Sequence, residues 1–73
     1  MSMLLTMFAN THIPEWARWI AQDADGTWWA YEHEPNESHS GWYENEVGRS
    51  VKLYQDEVNT SWRESCRKQN PEI

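Results

Sequence analysis

The chain has 73 residues, with 12 acidic against 6 basic side chains and a formal net charge of -6. An acidic balance opposes direct binding to nucleic-acid phosphates, which require clustered cations. A chain of this size builds a core worth only about 3–5 kcal/mol. The six tryptophans, three tyrosines and one phenylalanine are therefore expected to supply most of the buried surface.

The compartment is predicted from two features. Cys66 is the single cysteine, so no disulfide within the chain can staple the fold. The apolar residues 1–8 lack the positive region and cleavage site of a secretory signal, and no run reaches the roughly 18 apolar residues that a membrane span needs. We predict a cytoplasmic protein with no membrane contact.

One small domain is predicted at residues 13–70, between an N-terminal segment of uncertain structure at 1–12 and a tail at 71–73. Met3, Leu4, Met7 and Phe8 can line one side of a short helix, which we expect to be laid over an aromatic sheet. Pro14 favours an extended residue before it and marks the entry to the domain.

The stretch from Trp16 to Glu32 dominates the domain as a hairpin and contains four of the six tryptophans. Residues 17–22 and 28–32 alternate as strands do, and aromatic rings fall on both faces. Between them, Asp23-Ala24-Asp25-Gly26 predicts a type I turn closed by a glycine bulge, because glycine takes positive φ without a steric penalty.

The remaining elements are shorter. Residues 33–41 read as a polar loop, Trp42 and Tyr43 begin or flank an extended segment, and residues 50–54 alternate as a further strand. Ser61 and Glu64 fit a capping box, which predicts a C-terminal helix anchored on the sheet by Trp62. The predicted fold is α+β: a small antiparallel β-meander of three to four strands with a short C-terminal α-helix packed on it.

No reaction centre is spelled out, so we predict no enzyme, no cofactor and no metal. The aspartates of the turn resemble part of a calcium loop, but its further ligands are missing. The three histidines and Cys66 match no zinc spacing, and Cys66 reads as a small buried residue rather than a nucleophile. Paired glutamates would need a pocket to act as acids.

Exposed aromatic rings are typical of protein interfaces, and six tryptophans exceed what so small an interior easily hides. Acidic side chains in the interval without cations, between Arg18 and Arg49, would form a rim. The candidate contact residues are Trp29, Tyr31, Trp42 and Tyr43, with Glu34, Glu37, Glu44 and Glu46.

Three elements of the sequence are similar to those of very small bacteriophage and prophage proteins. They are WARWIAQDADGTWWAYEHEP, the later Gly41-Trp42, and SWRESCRK near the C-terminus, which together span most of residues 14–68. The resemblance implies a phage or prophage origin and transfers no catalytic residues.

Three functional hypotheses follow from these patterns. The first is a non-enzymatic phage accessory protein that binds a host or phage protein, with a homodimer as a further option. The second is an acidic nucleic-acid mimic that inhibits a host nucleic-acid-binding or defence protein, which would bind its target in a salt-sensitive way. The third is a small-ligand or metal-binding module.

Overall fold

The computed structural model describes residues 12–44 and 47–69, and the predicted helix at residues 1–12 lies almost wholly outside them. Four strands of the described part make one antiparallel sheet in the order β5-β2-β1-β6, and β3 and β4 pair as a separate ribbon. In chain order the elements are β1 Trp19–Gln22, β2 Thr27–Tyr31, β3 Asn36–Glu37, β4 Trp42–Tyr43, β5 Ser50–Gln55, a 3-10 turn Trp62–Glu64, and β6 Arg67–Lys68.

The central hairpin is confirmed. β1 and β2 pair antiparallel from Trp19 opposite Tyr31 to Gln22 opposite Trp28. At the turn, the Gly26 N–H donates to the Asp23 carbonyl at 2.9 Å, and the Asp23 N–H donates to the Thr27 carbonyl at 2.9 Å. Gly26 has φ of +96°. This is the hydrogen-bond pattern of a type I turn followed by a glycine bulge.

The first face of the sheet carries the main core. Ile20 and Ala30 are fully buried and pair across the hairpin, and Trp28 and Ala17 complete the buried cluster. Four partly buried apolar side chains pack against this cluster: Ile13, Trp16, Leu53 and Tyr54. The aromatic core predicted from composition is thus built mainly by the hairpin, β5 and the residues just before β1.

The second face carries Trp19, Ala21, Trp29 and Tyr31, because directly opposed residues of a pair share a face. The β3–β4 ribbon lies on this side, where the Tyr31 hydroxyl donates to the Trp42 carbonyl at 3.4 Å. Both faces of the hairpin are therefore covered by other parts of the chain.

The predicted C-terminal helix is wrong. The structure has a three-residue 3-10 turn, and Ser61 makes no side-chain cap at its start. The chain then extends into β6, where Gln69 donates its N–H to the Arg18 carbonyl at 2.6 Å. An isolated helix this short holds few hydrogen bonds, whereas pairing with β1 supplies them from a preformed strand. The anchoring role of Trp62 is confirmed, since it is only 5% exposed.

The strand prediction is correct in part. The strand predicted at residues 50–54 is confirmed as β5, which pairs with β2 and has a register shift near Leu53. The order β5-β2-β1-β6 is not a simple meander, because β3 and β4 intervene in sequence and leave the sheet. The segment predicted as a polar loop contains β3. No helix in the described parts of the chain is long and apolar enough to cross a membrane.

Candidate functional site

Trp42 attaches the ribbon through three hydrogen bonds to the hairpin and one ring contact with the 3-10 turn. Its backbone N–H donates to Asp23 Oδ1 at 2.9 Å, and its indole N–H donates to the Gln22 carbonyl at 3.0 Å. Its carbonyl accepts from the Tyr31 hydroxyl, and its ring meets Trp62 edge-on with centroids 6.2 Å apart. Trp42 therefore fixes the position of β4 on the sheet.

Gln22 organises the region behind Trp42, and it is 2% exposed. Its amide nitrogen donates to the Gly26 carbonyl at 3.1 Å, and its amide oxygen accepts from Asn59 at 3.0 Å. Its backbone N–H donates to Ser65 Oγ at 2.8 Å. One buried glutamine thus ties the turn, the loop after β5 and the residue after the 3-10 turn together, which makes the support beneath Trp42 rigid.

The Asp23 carboxylate accepts the backbone N–H of Trp42 beside the hairpin turn. Burial raises the pKa of this carboxyl above its ordinary value, and the Trp42 N–H opposes that shift. Gly41 passes so close that an added Cβ would lie 2.6 Å from Asp23 Oδ1. Glycine at position 41 is what lets the ribbon approach the carboxylate.

Two of the predicted contact residues support the fold. Tyr31 is 3% exposed, and burial is the main cause that raises the pKa of its hydroxyl well above the ordinary value. Trp29 is half-buried, and its side chain hydrogen-bonds the Asp23 carboxyl. Tyr31 bonds Trp42 and Trp29 bonds Asp23, so both side chains belong to the attachment of the ribbon, and neither is exposed.

Tyr43 is the predicted aromatic that the structure exposes, with 47% of its surface accessible. It lies opposite Asn36 in the ribbon, whereas Glu37 lies opposite Trp42 on the other face. Because neighbouring strand residues face opposite ways, the Tyr43 ring points away from the face that holds Trp42.

The predicted acidic rim is dispersed. Glu34 is exposed, Glu44 is half-buried, and Glu46 lies outside the described residues. Glu37 is exposed but accepts from Arg63 Nε at 3.0 Å. Of the described acids, Glu37 is taken up by an ion pair and Glu44 is half-buried, so they do not form one exposed acidic surface around Tyr43.

Two arginines each form a ring contact and an ion pair that the sequence does not predict. The Arg63 guanidinium lies 4.4 Å over the Trp62 ring while it pairs with Glu37. The Arg49 guanidinium lies 4.9 Å over the Trp16 ring and pairs with Glu32 at 3.1 Å. Arg63 and Glu37 are 26 residues apart in sequence, and Arg49 and Glu32 are 17 apart, so no local spacing indicates either ion pair.

The remaining chemical candidates lack an activated group. Cys66 is half-buried, and burial raises the pKa of its thiol to about 11, which keeps the sulfur protonated near neutral pH. No three of the His, Cys, Asp and Glu side chains in the described ranges are grouped to hold a metal ion.

Comparison of the chain with protein-family models, with curated proteins and with solved structures finds no match.

Proposed function

We propose that this protein is a non-enzymatic accessory protein of phage or prophage origin that acts in the bacterial cytoplasm by binding another protein. The observation that supports this role is the exposed ring of Tyr43 next to a fully anchored Trp42. A half-exposed tyrosine on a fixed backbone loses little conformational freedom on binding, which is the property of an interface anchor.

The contact surface of this proposal centres on Tyr43, with Glu44 next to it in the chain. Glu37 contributes less, because Arg63 already neutralises it. A tyrosine anchor gains most of its binding energy from burial of its ring. Binding through Tyr43 is therefore expected to weaken little between low and high salt.

The acidic-mimic hypothesis is the second candidate, and the ion pairs count against it. A phosphate mimic needs a run of unneutralised carboxylates, yet two acids of the cation-free interval, Glu32 and Glu37, pair with Arg49 and Arg63. Such a mimic would lose its basic target as salt is raised. The small-ligand hypothesis has no specific observation in its favour.

Site-specific photo-crosslinking tests the proposal. A benzophenone amino acid placed at Tyr43 should form a covalent adduct with one bacterial or phage protein in cells. The matched control is the same probe at Val58, which is 72% exposed and lies in the loop after β5. A partner joined from position 43 and not from position 58 supports the ribbon surface. Equal adducts from both positions, or none from position 43, would reject it.

A further inference from the structure

The edge formed by β1 and β6 carries half of the cations of an acidic chain. Arg18, Arg67 and Lys68 are all exposed. Lys68 lies opposite Trp19 and Arg67 opposite Ile20 in the β1–β6 pair, and the Gln69 N–H donates to the Arg18 carbonyl. We call these three side chains the basic edge.

The basic edge makes no ion pair with any described residue, because the two ion pairs of residues 12–44 and 47–69 use Arg49 and Arg63. Glu34 acts electrostatically on Cys66, next to Arg67, but bonds to none of the three cations. Three cations without an ion pair to a described residue are thus brought together at one edge of the sheet.

The acids of the hairpin turn are too far away to cancel this charge. Asp23 follows Arg18 by five residues of extended chain, which corresponds to about 17 Å along the strand. Asp56 also lies at the turn end of the sheet, away from the basic edge, because its N–H donates to the Gly26 carbonyl. At physiological salt the screening length is about 8 Å. The three cations also make no ion pair with Glu15 or Glu64, the described acids nearest to Arg18 and Arg67 in sequence.

The backbone at this edge has a free side among the described strands. β6 pairs with β1 alone. In an antiparallel pair, residues whose N–H and C=O groups bond the partner strand alternate with residues whose groups point away from it. Gln69 bonds Arg18, so the N–H and C=O of its neighbour Lys68 point away from β1. Arg67 and Lys68 belong to opposite faces, so their side chains flank the position that an added strand would take.

We propose that the basic edge binds an extended acidic peptide segment of a partner protein, which adds as a strand beside β6. Consecutive acidic residues of that segment would alternate between the faces and meet Arg67 on one side and Lys68 on the other. Arg18 extends the positive surface along β1. This surface is separate from Tyr43, and the proposal does not depend on the function proposed above.

A peptide is favoured over a nucleic acid for two reasons. Three cations neutralise only a few phosphates of a nucleic-acid backbone. A peptide also supplies the backbone donors and acceptors that pair with Lys68, which a phosphate backbone does not.

The test is fluorescence anisotropy with the full chain and a fluorescein-labelled octapeptide, Glu-Glu-Val-Val repeated twice, which places glutamates on both faces of a strand. Two further probes are the same peptide with alternate N-methylated amides, which cannot pair as a strand, and an eight-nucleotide oligothymidylate. We expect the unmodified peptide to bind best, and raised salt to weaken it. Arg67→Gln and Lys68→Gln should each weaken binding by about two- to fivefold.

Lys52→Gln is the matched control, because Lys52 is an exposed cation on β5, at the opposite edge of the sheet. It should leave peptide binding unchanged. Tighter binding of the oligothymidylate, equal binding of the N-methylated peptide, or equal losses in Lys52→Gln and Arg67→Gln would each overturn the proposal. Cations on an edge strand can also prevent aggregation. If the natural chain binds no peptide and Arg67→Gln self-associates, the cations of the basic edge have that role instead.

Discussion

The indole N–H of Trp42 donates to the backbone carbonyl of Gln22 at 3.0 Å, across 20 residues of sequence. This bond joins the small ribbon to the four-stranded sheet at the residue that also organises the turn. It makes Trp42 a structural tryptophan and leaves the next residue, Tyr43, on a fixed backbone. The stability of the ribbon and the exposure of Tyr43 are thus consequences of one attachment.

Trp42→Phe tests this attachment. The substitution keeps an aromatic ring but removes the indole donor, while the Gln22 carbonyl keeps its weaker contact with Ser65 Oγ at 3.3 Å. We expect a loss of about 1–2 kcal/mol in the free energy of unfolding, measured by urea denaturation. Tyr43→Phe is the control, since its ring is exposed, and it should change stability by less than about 0.5 kcal/mol. Equal effects of the two substitutions would contradict the account.

Gly26→Ala should be among the most damaging small substitutions. Gly26 has φ of +96°, and an added Cβ would meet the backbone carbonyl oxygens of Asp56 and Glu57, the latter at 2.7 Å. The left-handed conformation and the clash together should cost about 2–4 kcal/mol of unfolding free energy. Thermal and urea denaturation measure this loss.

Gly48→Ala is the matched control for that substitution. The nearest atom to its added Cβ is His33 Cδ2 at 2.5 Å, which belongs to an exposed side chain that is able to rotate. The expected change is less than about 1 kcal/mol. A loss at position 48 as large as that at position 26 would show that the turn geometry is not the cause.

Much of the hairpin is readable from the sequence because its signals are local. Strand alternation, the turn aspartates and Gly26 all lie within 14 residues of one another, from Arg18 to Tyr31. The tail is different. Ser61 and Glu64 have the spacing of a capping box. In the structure, however, the Glu64 N–H donates to the Ser61 carbonyl in a 3-10 turn. The Gln69 N–H donates to the Arg18 carbonyl in a strand pair. A preformed strand edge outweighed a local helical preference.

The candidate surface was harder to predict for a related reason. Trp42 and Tyr43 are adjacent aromatic residues, and composition does not tell which one is buried. Asp23, Gln22 and Tyr31 set these roles. They are distant from the pair in sequence, and the hydrogen bonds that they make to the pair go to Trp42. Exposure of Tyr43 then follows from the alternation of a strand.

Acid should weaken the fold partly through Glu32. The hydrogen bonds from Arg49 lower the pKa of the Glu32 carboxyl to about 2, below its ordinary value of 4.5. A lowered folded-state pKa gives stability that is present above the unfolded-state pKa and is lost as the pH falls from about 4.5 towards 2. Glu32→Gln should therefore flatten the decline of the urea midpoint across this interval.

Asp23 provides a control of opposite sign in the same titration. Its folded-state pKa is raised above 3.8, chiefly by burial, so its contribution to stability increases as the pH falls through the raised pKa. Asp23→Asn should therefore steepen the decline of the urea midpoint with falling pH, whereas Glu32→Gln flattens it. Identical pH profiles for the two variants would contradict the assigned directions.

Cys66 should react slowly in the folded protein. Its thiol has a pKa of about 11 against an ordinary value of 9.0, and the thiolate is the reactive species. At mildly alkaline pH the two-unit difference lowers the thiolate fraction about a hundredfold. Alkylation by iodoacetamide, followed by mass spectrometry, should be slower by about that factor than in urea. Equal rates in the folded and unfolded chain would show an activated or freely exposed thiol.

The proposed function requires that Tyr43 on its anchored ribbon contact a protein partner. The most direct measurement is quantitative affinity capture from nuclease-treated bacterial lysate by the natural chain, Tyr43→Ala and Val58→Ala, with melting temperatures recorded for all three. We expect one protein to be retained by the natural chain and Val58→Ala at both low and high salt, and lost with a folded Tyr43→Ala. Retention of that protein by Tyr43→Ala at the level of the natural chain would contradict the claim.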